Sequence, residues 1–136
     1  MGSEHSMKMD ALVLDDNPEF AEFVRATGEK CGLRASIATD ARHFKELLKT
    51  ARPRVIVLDI EMPEMNGLQL AQWLGACVED WERPVQLVIV SGKGIETLRL
   101  ARSVAEISGF QNVKLISKPI EFATLAQIFN SIDLKA

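Results

Sequence analysis

Short apolar runs alternate with longer stretches of helical period from one end of the chain to the other. Ala11-Leu12-Val13-Leu14 is a strand-like run, and Asn17-Pro18 then supplies a turn and a helix start. Phe20, Phe23, Val24, Thr27 and Cys31 recur at helical spacing until Gly32 stops them. A weaker strand covers Arg34 to Thr39, and Asp40 caps a helix whose inward face carries Ala41, Phe44, Leu47, Leu48 and Ala51. Val55-Ile56-Val57-Leu58 runs without polar interruption into Asp59, as a strand buried on both faces of a parallel sheet does. Met62-Pro63 and Asn66-Gly67 then turn the chain, and a helix follows through Leu68, Leu70, Ala71, Leu74 and Val78. The remaining elements are a strand from Val85 to Val90, a helix from Gly94 to Ser108, a strand from Val113 to Ile116 and a helix from Glu121 to Ile132. That last helix carries Phe122, Leu125, Phe129 and Ile132.

Five strand-helix alternations without a linker predict an α/β fold, a doubly wound five-stranded parallel sheet of flavodoxin-like order 2-1-3-4-5. One domain spans Lys8 to Leu134, and residues 1–7 have the small, polar character of a frayed terminus or cloning remnant. With 136 residues, 47% of them hydrophobic, one core fits and a second does not. The net charge of −3 argues against broad binding to nucleic acid or an anionic membrane surface. With no apolar run long enough for a bilayer, the cytoplasm is the expected location. Cys31 and Cys77 stand alone in apolar helical patterns and read as packing residues, as do Trp73 and Trp81; His43 reads as a surface residue.

In such a sheet the carboxyl ends of the strands share one edge, and here those ends carry Asp15-Asp16, Asp59, Ser91-Gly92 and Lys118-Pro119. Three carboxylates that close together need a cation to remain ionised. Lys118 supplies one charge, and Mg²⁺ suits the remaining oxygen donors; Zn²⁺ does not, because neither His43 nor the cysteines lie at this edge. A carboxylate beside a metal, a lysine and a hydroxyl is equipment for receiving a phosphoryl group. Asp59 would be the nucleophile, with Lys118 and Ser91 on the incoming oxygens.

These residues, at these strand ends and in this order, resemble the receiver domain of two-component response regulators, the CheY-like superfamily. The resemblance covers Lys8 to Leu134. It implies that Asp59 accepts a phosphoryl group from a phosphohistidine on a sensor histidine kinase or phosphotransfer protein. It implies further that Asp16 and Asp59 ligate Mg²⁺ directly, Asp15 mainly through water and Glu61 through its backbone carbonyl, with the Gly92 and Ile60 backbone facing the phosphoryl group. Lys118-Pro119 would carry a cis peptide. Such a domain is a signalling switch, with no enzymatic activity beyond its own phosphorylation and dephosphorylation. Its fourth helix, fifth strand and fifth helix would form the surface for a homodimer or an output domain.

Leu115 departs from the family's usual aromatic residue three positions before the lysine, so a switch that turns an aromatic ring inward is not expected. Glu61 adds a further negative charge beside Asp59 and is expected to influence how readily water attacks the phosphorylated form. Other readings fare worse. A flavin module would have its phosphate repelled by Asp15-Asp16, and a haloacid-dehalogenase-like phosphatase needs a different acid spacing after its nucleophile. A phosphorylation-independent interaction module is the alternative, and it predicts missing site residues where none is missing.

Overall fold

The computed structural model describes residues 8–62 and 66–132. Pro63 of the predicted turn, the first seven residues and Leu134 lie outside the described residues. Ten elements alternate: β1 (Ala11–Leu14), α1 (Pro18–Lys30), β2 (Ala35–Ala38), α2 (Ala41–Leu47), β3 (Val55–Asp59), α3 (Gly67–Val78), β4 (Gln86–Ser91), α4 (Ile95–Ile107), β5 (Asn112–Ser117) and α5 (Phe122–Asn130). The strands form one parallel sheet ordered β2-β1-β3-β4-β5, as expected.

Alternation of side chains along the strands separates two apolar layers. Leu12, Leu14, Ile56, Leu58, Leu87 and Ile89 face α2, α3 and α4, where they meet Phe44, Leu74, Leu98 and Ala101. Val13, Val55, Val57, Val88 and Val90 point the other way, toward Ala21 and Val24 of α1 and Leu125 and Phe129 of α5. β1 and β3, in the middle of the sheet, are buried along their whole length. That two-sided burial explains their uninterrupted aliphatic sequence.

Three helices start on side-chain caps. Asn17 accepts from the amides of Glu19 and Phe20, Asp40 from His43, and Asn66 from Leu68 and Gln69. The cap at Asn17 begins α1 directly after the acidic strand end, and the cap at Asn66 begins α3. Gly67 is required there by space: a Cβ at this position would lie 2.7 Å from the Cα of Ile60. The same holds where α3 passes the end of α4, since a Cβ on Gly75 would lie 2.5 Å from the carbonyl oxygen of Ser108.

Phe122 is exposed at the first turn of α5, with the Lys30 ammonium 5.4 Å from the ring centroid. Leu125, Ile128 and Phe129 make the buried face of that helix. Strand boundaries differ from the sequence reading. β4 extends through Ser91, and β5 starts at Asn112 and ends at Ser117, because ladder pairing continues past the apolar run. Cys31 and Cys77 are half-buried and unpaired. Trp73 and Trp81 are half-buried packing residues whose faces carry Lys45 and Arg52, at 4.9 and 5.0 Å from the ring centroids.

Replacing Gly75 with alanine forces the α3–α4 contact apart, because the obstructing atoms belong to Ser108, its backbone carbonyl included. A loss of roughly 1–3 kcal/mol is expected, read as a lower midpoint in urea unfolding; an unchanged midpoint would refute the close approach.

Candidate functional site

The ladder register brings the polar strand ends to one rim. Leu14 pairs with Leu58, so Asp15 and Asp59 each follow a paired residue at the same level of adjacent strands. Asp59 pairs with Val90 and Ser91 with Ser117, which places Ser91 one step beyond Asp59 and Lys118 immediately after the last rung. The Lys118 amide donates to the Ser91 carbonyl at 2.9 Å, and Lys118-Pro119 is cis, as the sequence reading expects.

Asp15 and Asp59 are almost wholly buried, at 1% and 4% exposure, whereas Asp16 faces solvent. The Lys118 ammonium joins the two buried carboxylates, 3.1 Å from Asp15 Oδ2 and 3.4 Å from Asp59 Oδ2. The ammonium also lies over the Phe20 ring, 4.3 Å from its centroid. The second oxygen of each carboxylate accepts a backbone amide: Asn17 donates to Asp15 Oδ1 and Glu61 to Asp59 Oδ1, each at 2.9 Å. Ser91 is fully buried and its Oγ accepts from the Lys93 amide at 3.0 Å.

One ammonium does not balance this rim. Burial raises the Asp59 carboxyl above its ordinary value, and the charge of Asp15 adds to the rise. The Glu61 amide and Lys118 oppose it without cancelling it. For Lys118, burial pulls the ammonium's pKa down, but the hydrogen bond and charge of Asp15, followed by those of Asp59, outweigh it and leave the value raised. Carboxylate oxygens of Asp15, Asp16 and Asp59 lie within 4.8 Å of one another. These are hard oxygen donors, one of them open to water, and no histidine or cysteine joins them among the described residues. The set suits a small divalent ion that keeps part of its hydration.

The backbone amides at Ile60 and Gly92 both have partners within the protein. The Ile60 amide donates to the Val90 carbonyl at 3.2 Å, as part of the β3–β4 ladder. The amide of Glu61 is the one turned to the Asp59 carboxylate. The Gly92 amide lies at the rim but is taken by the Glu61 carboxylate, through Oε1. Sequence reasoning did not identify that pairing: the two residues are 31 apart and only strand order brings their loops together. Leu115 is half-buried against the α2–α4 layer, filling its place as packing.

Residues 11–130 match the family model described as "Response regulator receiver domain". Among curated proteins, the chain is 36% identical over 63 residues to an uncharacterized 14.6 kDa protein of Leptolyngbya boryana, a match covering 46% of this chain and 48% of that one. It is 31% identical over 74 residues to the response regulator MprA of Mycolicibacterium vanbaalenii, covering 54% of this chain and 32% of that protein. The chain thus spans half or less of the length of these relatives. Among solved structures, the receiver domain of Francisella response regulator 1452 superposes with a TM-score of 0.68 at 24% identity, over 90% of this chain and 93% of that one, which is a likeness of fold.

A raised Asp59 carboxyl means that the ionised group opposes folding at any pH above its folded value. That opposition disappears once the pH falls below the ordinary carboxylate value. In chelator at neutral pH, Asp59→Asn should therefore raise Tm by a few degrees, with the advantage shrinking as the solution is acidified. Mg²⁺ should raise the Tm of the unsubstituted protein far more than that of the variant. An equal or lower Tm for the variant in chelator would contradict the charge imbalance.

Proposed function

Since the chain belongs to the response regulator receiver domain family, a signalling rather than an enzymatic family, we propose that it is a phosphoacceptor switch in which Asp59 is the site of modification. The observation that carries the reading is the Asp59 carboxylate itself. It is buried, tethered through one oxygen to Lys118 and through the other to a backbone amide, and set among Asp15, Asp16 and Ser91.

In the proposed reaction a phosphohistidine on a sensor histidine kinase or phosphotransfer protein is the donor. An Asp59 oxygen attacks phosphorus, a P–O bond forms and the P–N bond breaks. The electron pair of the broken bond returns to that imidazole nitrogen, and the proton already on the donor's other ring nitrogen lets the ring leave as neutral imidazole. The fixed carboxylate is a positioned nucleophile, so little orientation is lost on the way to the transition state. Asp16 and Asp59, Asp15 through water, and the Glu61 carbonyl would hold Mg²⁺, which supplies charge neutralisation for the phosphoryl oxygens. Lys118, already between two carboxylates, needs only a short movement to pair with a phosphoryl oxygen. Ser91 can turn its hydroxyl proton toward another.

Phosphorylation adds close to two negative charges to a rim already short of positive ones. Lys118 and Ser91 are joined through the Ser91 carbonyl, so their rearrangement pulls on the Gly92–Gly94 segment and the start of α4. The face formed by α4, β5 and α5 supports an output role, with Ile95, Leu100, Ile107 and Phe122 all exposed on α4 and α5. The proposed occupants of that face are a second copy of the chain or an output domain. A cytoplasmic location fits a kinase partner, and no helix among the described residues is long and apolar enough to cross a membrane.

Intact mass after incubation with acetyl phosphate and Mg²⁺ should show one added phosphoryl group on the unsubstituted protein and none on Asp59→Asn. An adduct that persists in the variant would place the acceptor elsewhere. The same modified sample should sediment faster than the unmodified one if the α4–β5–α5 face pairs two copies, and an unchanged monomer would remove the dimer from the proposal.

A further inference from the structure

The Glu61 side chain occupies a position that its sequence neighbours do not explain. Its backbone amide donates to Asp59 Oδ1, while its carboxylate reaches across the rim and accepts from the Gly92 amide through Oε1. Its other oxygen, Oε2, is buried and has no hydrogen-bond partner. A buried carboxylate oxygen without a donor is costly, since an ionised acceptor loses hydration and gains nothing in return. The carboxylate lies against Gly92, where a Cβ would stand 3.5 Å from Glu61 Oε1, an ordinary contact distance.

Gly92 follows Ser91 at the end of β4, and Ser91 is one rung beyond the partner of Asp59. On the phosphoacceptor reading, an anion on Asp59 would stand at the same rim as the backbone amide that Glu61 now holds. Two anions cannot share one donor, and the like charges repel at close range. We propose that the Glu61 carboxylate is a resident anion that holds the Gly92 amide before phosphorylation, competes with the phosphoryl oxygens for it, and must leave for the switch to complete. This rests on the phosphoacceptor reading of Asp59 and adds a positioning residue to it. The unpartnered Oε2 keeps the displaced state within reach, because swinging outward restores water to an oxygen that has no partner inside.

The test uses beryllium fluoride as the phosphoryl mimic, titrated with Mg²⁺ present and followed by ¹⁹F NMR. The proteins are the unsubstituted chain, Glu61→Ala, Glu61→Gln and Asp59→Asn. Glu61→Ala removes the competitor and should bind about tenfold more tightly, a change of ~1.4 kcal/mol. Glu61→Gln keeps an acceptor of the same shape without the charge and should fall between the two, and it guards against a loss of folding in the alanine variant. Affinities for both variants equal to or weaker than that of the unsubstituted chain would overturn the competition while leaving the role of Asp59 intact. Binding that survives in Asp59→Asn, or fails in all four proteins, would overturn both readings together.

Discussion

Two buried carboxylates share one ammonium at the end of this sheet, and the remaining features of the rim follow from that deficit. Asp15 and Asp59 are held within reach of each other by the β1–β3 ladder, which cannot relax without breaking the central strands of the core. Lys118 enters from the far side of β4, carried by a strand end that is pinned to the Ser91 carbonyl. Backbone amides from Asn17 and Glu61 take the oxygens that Lys118 does not. What is left is excess negative charge around Asp59, together with an exposed third carboxylate, Asp16. A rim in this condition suits a divalent cation and gains from chemistry that draws Lys118 onto a new anion.

The fold supports this rim by packing on both faces of the sheet and connects it through one loop to the start of α4. α1 and α5 cover one face of the sheet and α2, α3 and α4 the other, so the strand ends are supported by packing on both sides. Asn17 caps α1 directly after the acidic end of β1, Asn66 caps α3, and Gly67 has no side chain to meet Ile60. The β4–α4 connection is different. α4 has no side-chain cap, and its first residue follows Gly94, whose φ of 110° few other residues adopt. The segment between Ser91 and α4 is thus held mainly through Ser91, Glu61 and Lys118, the groups whose partners phosphorylation would change.

Much of this was legible in the sequence because strand ends in a parallel sheet converge whatever the loops do. Aliphatic runs ending in Asp15, Asp59 and Ser91, and the run ending before Lys118, gave strand order and rim together. Exposure on the helices was harder to read. Phe122 is exposed while Leu125, Ile128 and Phe129 are buried on the same helix, and periodicity alone cannot place the start of a buried face. The backbone was harder still. Whether the Ile60 amide is free depends on where the β3–β4 ladder stops, and the contact of Gly75 with Ser108 depends on how closely α3 and α4 approach. Glu61 was visible as an extra charge, but its bond to Gly92 joins two loops whose proximity exists only after folding.

On the phosphoacceptor reading, the rim exchanges its internal ion pairs for contacts with a phosphoryl group on Asp59. A crystal structure with Mg²⁺ and beryllium fluoride tests it most directly. Beryllium should be bonded to an Asp59 oxygen, with Lys118 and Ser91 turned onto the fluorides and the Gly92 amide released from Glu61. Beryllium fluoride bound on Asp59 with Lys118 still joining Asp15 to Asp59, and Glu61 still on Gly92, would contradict it.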